Sequence, residues 1–170
     1  MNARSRTRRI GVILAGLLLA GGIVAIAQDA AGTSSPTIVI DEVELNPEGF
    51  DTDNEWVELL NVGSETIDLA GWSLSTSYRT AGTVVISEES KRLAPGARYV
   101  FVYPGLRLRN AADLPIQLFD ADGNLVDETP ALADTDDDEN TWQRFPNEGD
   151  VPIDELWWFL PATRNKPNTA

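Results

Sequence analysis

Residues 37–74 read TIVIDEVELNPEGFDTDNEWVELLNVGSETIDLAGWSL, and their pattern decides the fold class. Thr37–Glu44 is rich in β-branched residues and alternates toward its end, as a strand does. Asn46-Pro47 closes it, because proline removes a donor and restricts the residue before it. Glu55–Val62 sets Val57 and Leu59 on one face and Trp56 and Glu58 on the other. Asn61 falls on the Val57/Leu59 face, where an inward amide needs partners and is expected to bond a neighbouring loop backbone. Thr66–Leu74 reads as a third strand, with Ile67, Leu69 and Gly71 on one face. Its Gly71-Trp72 step points to a bulge or close packing.

The rest of the chain repeats this pattern of short β-type runs between turn signals. Thr83–Ile86 is short, and Arg98–Tyr103 is aromatic and β-branched. Leu114–Phe119 and Leu125–Glu128 flank Asp120-Ala121-Asp122-Gly123-Asn124, whose Asp-Gly step is a hairpin signal. Thr141–Phe145 reads as the last clear strand. Glu148–Pro161, with Trp157-Trp158-Phe159, lacks alternation and is expected to wrap the sandwich and cover an open edge or end. Helical periodicity and internal repeats are missing from residues 28–170. The expected class is therefore all-β, a sandwich or barrel.

The N-terminus stands apart. Arg4, Arg6, Arg8 and Arg9 precede Ile10–Ala27, an uncharged run of 18 residues that ends Ala25-Ile26-Ala27. A signal peptide has an apolar core of roughly 7–15 residues, and a spanning helix needs about 20. Residues 1–27 are expected to be a signal peptide cut between Ala27 and Gln28, or an uncut signal anchor. Either way the remainder lies outside the membrane, with the arginines cytoplasmic in the anchored case. Membrane contact is expected only through residues 10–27, and only if the segment stays uncut. Residues 28–36 read as a flexible linker.

The chain carries 13 basic and 27 acidic residues, a net charge of −14. Without residues 1–27, nine basic residues face the same 27 acidic ones, giving −18. Such a surface repels phosphate backbones, so nucleic acid is not an expected partner. Only Lys91 and Lys166 are lysines, a balance that also suits salty surroundings. Cysteine and histidine are both absent. The core must hold the fold without disulfides, and the commonest general base and transition-metal ligand are missing.

Six segments in order resemble the lamin-tail domain family, in its prokaryotic secreted or membrane-anchored form. They are Val39–Val43 with Asn46-Pro47, Glu55–Leu59 with Asn61, Ile67–Leu74, Leu93–Val100, Asp120–Asp127 and Thr141–Pro146. The family closes on a Pro-Gly turn before a Pro-Asn. Here Arg164-Asn165 replaces Pro-Gly ahead of Pro167-Asn168. The resemblance spans residues 37–168 and implies an immunoglobulin-like β-sandwich. It also implies a module that mediates interactions at a cell surface or envelope, with a protein or surface partner. The chromatin binding linked to lamin tails is not expected of so acidic a chain.

The residues offer little chemistry. Neither a Ser-His nor a Cys-His pair can form, and phosphate-loop and dinucleotide motifs are missing. Glu55 and Glu58 point apart on a strand, so a carboxylate-based hydrolase is an alternative with no constellation behind it. No catalytic, cofactor-binding or metal residue is assigned. Asp134, Asp136 and Asp138 copy positions 1, 3 and 5 of a calcium loop within residues 134–140. Glu139 replaces the turn glycine, and Phe145 stands where a bidentate glutamate belongs. A weak calcium site in a calcium-dependent adhesion or sugar-binding module is the alternative to a solvated acidic loop. Asp51 and Asp53 form a second acidic loop.

Overall fold

A computed structural model describes residues 37–111, 114–146 and 156–169, all within one compact unit. Among the described residues eleven strands follow one another: β1 (Ile38–Glu44), β2 (Trp56–Asn61), β3 (Ile67–Asp68), β4 (Ser73–Thr76), β5 (Gly82–Val85), β6 (Arg92–Leu93), β7 (Arg98–Val102), β8 (Pro115–Phe119), β9 (Leu125–Ala131), β10 (Asn140–Arg144) and β11 (Trp157–Pro161). One sheet runs β11-β10-β1-β2-β7, a second runs β5-β4-β8-β9, and β3 pairs with β6. Every strand pairing is antiparallel. The two larger sheets pack as an immunoglobulin-like sandwich. Residues 1–36, with the expected signal segment and linker, lie outside the described residues. Among the described residues no helix is long and apolar enough to cross a membrane.

The core is built from the inner faces of the sheets. Ile38, Ile40, Val43, Val57, Leu59 and Tyr103 meet Leu74, Ile116 and Leu118, all buried. A bulge on β1 sets which residues face inward. Ile40 pairs with Leu59 and Glu42 with Glu58, so Asp41 is an extra residue on β1. The extra residue keeps Val43 inward opposite Val57 and turns Glu42 and Glu44 to the outer face. Without it, the isoleucines and Val43 would occupy opposite faces.

Two of the expected boundaries change. Thr66–Leu74 is not one strand: it divides into β3 and β4, which belong to different sheets. The cause is a turn in which Trp72 N donates to Leu69 O at 3.1 Å, with Gly71 at φ 76°. Glycine takes that conformation without steric cost. Thr141–Phe145 is followed by a further strand, since β11 pairs with β10 from Asn140–Pro161 to Arg144–Trp157. The C-terminal aromatics do cover an edge, as expected, but as a ladder strand and not as a wrap. Trp157 is buried in the core while Trp158, half-exposed on the other face, stacks on Phe145 at 5.1 Å. Both faces carry apolar groups, which erased the alternation.

Candidate functional site

The outer face of β1 and β2 carries charge yet is closed to solvent. Glu42 and Glu58 are opposite one another and both fully buried. Sequence alternation put Trp56 and Glu58 away from the core, but the C-terminal tail, 162–168, covers that face. Glu42 Oε1 accepts Thr163 N at 2.7 Å and Thr141 Oγ1 at 2.6 Å, and Glu42 Oε2 accepts Thr163 Oγ1 at 3.0 Å. Glu58 Oε2 accepts Asn165 N at 2.5 Å. The Asn168 amide donates to Asp41 O at 3.0 Å and Arg144 O at 2.7 Å. Arg164 lies over the Trp56 ring at 5.2 Å.

Arg98 neutralises part of this charge. Its Nε lies 3.2 Å from Asp41 Oδ2 and 3.0 Å from Glu58 Oε1, the latter an ion pair too far off line to be a hydrogen bond. Burial pushes Glu58 up to about 7, while the Asn165 N–H pulls it down. Burial also raises Asp41, against the lowering effect of Arg98. A carboxylate pair that hydrolyses a substrate needs access to it and to water. Here the tail fills that space, and both carboxylates serve the fold.

A second acid links the sheets. Asp127 Oδ2 on β9 accepts Ile40 N at 2.8 Å and Arg144 Nη1 at 2.6 Å. Arg144 also lies 5.9 Å from the Trp157 ring, so it both pairs with a carboxylate and reaches an aromatic. Asn61 behaves as expected of an inward amide. It donates to Glu65 O and Leu93 O, both at 2.8 Å, and accepts Gly63 N at 2.9 Å.

The 134–140 loop does not close around a point. Asp134 is buried, and its Oδ1 accepts Asp136 N at 3.0 Å. Asp137 Oδ1 accepts Gly49 N at 2.6 Å. Both oxygens of Asp138 accept from Asn140, at 2.7 and 2.8 Å. Among the described residues no three acidic side chains are placed to hold a metal ion. Asp134 Oδ2 is nonetheless buried without a hydrogen-bond partner. Burial pushes Asp134 up to about 6, and the charges of Asp138, Asp136 and Asp51 add to the rise. Burial likewise pushes Glu44 up to about 8, with Asp134, Asp138 and Glu42 adding to it against the Asn46 N–H bond.

At one end of the sandwich, acids organise a loop. Glu55 is fully buried, and its Oε2 accepts Arg107 N at 2.7 Å and Leu108 N at 3.0 Å. Asp53 Oδ1 accepts Gly105 N at 2.5 Å, so Asp53 of the second acidic loop is a loop anchor. Tyr103, fully buried, donates its hydroxyl to Ser75 O at 3.0 Å. Sequence reading passed over this loop and its neighbour around Tyr78. The signal was the arginines of Tyr78-Arg79 and Arg107-Leu108-Arg109, which the net charge hid.

A family model of the lamin tail domain matches residues 31–131, more than half of the chain. The chain belongs to the lamin-tail domain family. No curated protein matches it. Lamin-tail domains are immunoglobulin-like modules without enzymatic activity, which favours a non-catalytic role here. The match ends at the last residue of β9, so β10, β11 and the tail lie beyond it. In the lamin-tail motif before the C-terminus, Asn165 takes the glycine position and adopts φ 61°. Asparagine is among the few other residues that tolerate this conformation. The turn closes with Lys166 N on Thr163 O at 2.7 Å.

Proposed function

We propose that this lamin-tail chain is an exported, non-catalytic recognition module of the cell envelope, with a protein or cell-surface partner. Residues 10–27 hold it at the membrane, or cleavage between Ala27 and Gln28 releases it. The observation that carries the reading is the use of the buried acids. Glu42, Glu55, Glu58 and Asp127 each accept hydrogen bonds from the chain's own backbone. Recognition is left to the exposed loops, and the surplus of acid keeps nucleic acid away. Protease treatment of intact cells tests the placement, combined with mass spectrometry of the native N-terminus. Digestion of the domain in intact cells supports export, and protection until lysis overturns it. A start at Gln28 marks the released form.

Calcium-dependent adhesion is a second reading. Its support is the unpartnered Oδ2 of Asp134, buried beside further carboxylates. A calcium ion bound only by the folded state raises the melting temperature by mass action. A rise at about 5 mM calcium that chelator reverses supports it, and no shift removes it.

A further inference from the structure

A groove of about 740 Å³ opens beside the end of β1 and gathers acid from three elements. Glu44 ends β1, Glu48 comes from the β1–β2 loop, and Asp138 and Glu139 come from the β9–β10 loop. The volume falls within the range of ligand sites, about 300–1,000 Å³. The walls are tied together by the chain itself. Glu48 N donates to Asp138 O and Ala162 N to Glu139 O, both at 3.1 Å, and Gly49 N donates to Asp137 Oδ1 at 2.6 Å. A site fixed before binding loses less entropy when it binds.

The acids here are used differently from those under the tail. Glu42, Glu58 and Asp127 hold donors from the tail or from a distant strand. Glu44 is only 3% exposed, yet its one bond is from Asn46 N to Oε1 at 3.2 Å. Its Oε2 receives no hydrogen bond or ion pair among the described residues. The carboxylates of Glu48 and Glu139, both exposed, are likewise unpartnered among the described residues. Asp138 is already held by Asn140 and adds only its charge. Arg164 brings a positive charge to the groove wall, where it lies over the Trp56 ring at 5.2 Å. A nearly buried carboxylate oxygen without a donor is costly until a donor arrives.

That oxygen accepts from a cation, and three observations select its kind. A metal ion needs convergent ligands, and among the described residues no three acidic side chains are placed to hold one. A guanidinium favours two parallel bonds and an aromatic face, whereas Glu44 offers one oxygen and Arg164 already covers Trp56. An ammonium is a compact charge that needs no such match. Phe50, 84% exposed on the same β1–β2 loop, adds an aromatic contact of the kind enriched at protein interfaces.

We infer that this groove receives a lysine side chain from a basic segment of a partner protein, its ammonium meeting Glu44 inside and Glu48 and Glu139 at the mouth. The acidic surface steers such a segment inward. Burial holds the Glu44 carboxyl up to about 8, and the charges of Asp134, Asp138 and Glu42 add to the rise. An ammonium favours the ionised form, so binding releases a proton and strengthens as pH climbs toward about 8. Lysine keeps its charge throughout that range. The inference rests on the recognition reading and adds the partner's chemistry to it.

Titration calorimetry of the full chain in mild detergent tests it. The probes are capped peptides that carry a phenylalanine and differ only in a central lysine, arginine or norleucine. The lysine peptide is expected to bind best. Glu44→Gln should weaken it about tenfold or more and flatten its pH dependence, with the melting temperature retained. Glu89→Gln, the same charge change in the β5–β6 loop, leaves binding unchanged. Equal binding of the arginine or norleucine peptide overturns the inference, as does an equal loss in Glu89→Gln or no binding of the lysine peptide. Binding of calcium alone that Glu44→Gln abolishes, without peptide binding, overturns it in favour of the calcium reading. Binding of the chain to its own envelope fraction, measured in parallel, separates the two claims. If that binding persists while the lysine peptide fails, only the lysine assignment falls. If both fail, the recognition reading falls as well.

Discussion

Asp127 on β9 accepts the Ile40 N–H of β1 at 2.8 Å, and so joins the two sheets where the β1 bulge interrupts the ladder. The same oxygen holds Arg144 at 2.6 Å. Removing it leaves a buried N–H and a mostly buried guanidinium without their acceptor. Asp127→Ala is expected to cost about 3–5 kcal/mol in urea unfolding, and Asp127→Asn less. A cost below about 1 kcal/mol for Asp127→Ala contradicts this role.

The tail contributes to stability through Glu42. Glu42→Gln weakens acceptors for Thr163 N, Thr163 Oγ1 and Thr141 Oγ1 and is expected to cost about 1–3 kcal/mol. Thr163→Val removes only one hydroxyl and costs about 0.5–1.5 kcal/mol. In a double-mutant cycle the two effects are non-additive, since the residues touch. Simple additivity argues against the docked tail.

The turn that replaces Pro-Gly gives a backbone prediction. Asn165→Gly keeps the left-handed residue at φ 61° and changes stability by no more than about 0.5 kcal/mol. Asn165→Val forces a β-branched side chain there and costs about 1–3 kcal/mol. Thermal melts of the two variants check the order.

Stability is expected to respond to pH in an uncommon direction. Glu44 rises from 4.5 to about 8 and Asp134 from 3.8 to about 6, each chiefly by burial. Glu55 and Glu58 rise to about 7 for the same chief cause. A carboxyl with a higher pKa in the folded state binds its proton more tightly there. Its stabilising effect is complete below the unfolded value and is lost as pH climbs through the folded one. The window here runs from about pH 4 to 8. The domain should therefore be more stable in urea melts near pH 5 than near pH 8. Glu44→Gln should recover about 1–3 kcal/mol at pH 8 and little at pH 5. Parallel pH curves for the two proteins contradict the assignment.

Much of the fold is legible because the strands that face one core alternate. β2, β7, β8 and the Asp120–Asn124 hairpin lie close to where period and turn residues put them. Asn61 was legible because an inward amide has few options. Gly71 hid a change of sheet, since a turn inside an apolar run leaves the hydrophobic pattern intact. β11 was hidden because Trp157 and Trp158 pack on opposite faces. The roles of Asp127, Glu42 and Glu55 were not legible, because their partners are backbone N–H groups distant in sequence. The acidic 134–140 loop looked like ligand spacing, but spacing says nothing about whether carboxylates turn toward their own backbone.

Hydrogen exchange at the amides of Arg107, Leu108, Thr163 and Asn165 tests most directly whether the buried acids hold the fold's loops and tail. In the wild type these amides should be protected nearly as well as those of β1 and β2. Glu55→Ala should release Arg107 and Leu108 alone, and Glu42→Ala should release Thr163, with the sheet ladders still protected. Wild-type exchange at unprotected rates, or no local loss in either variant, would contradict the account.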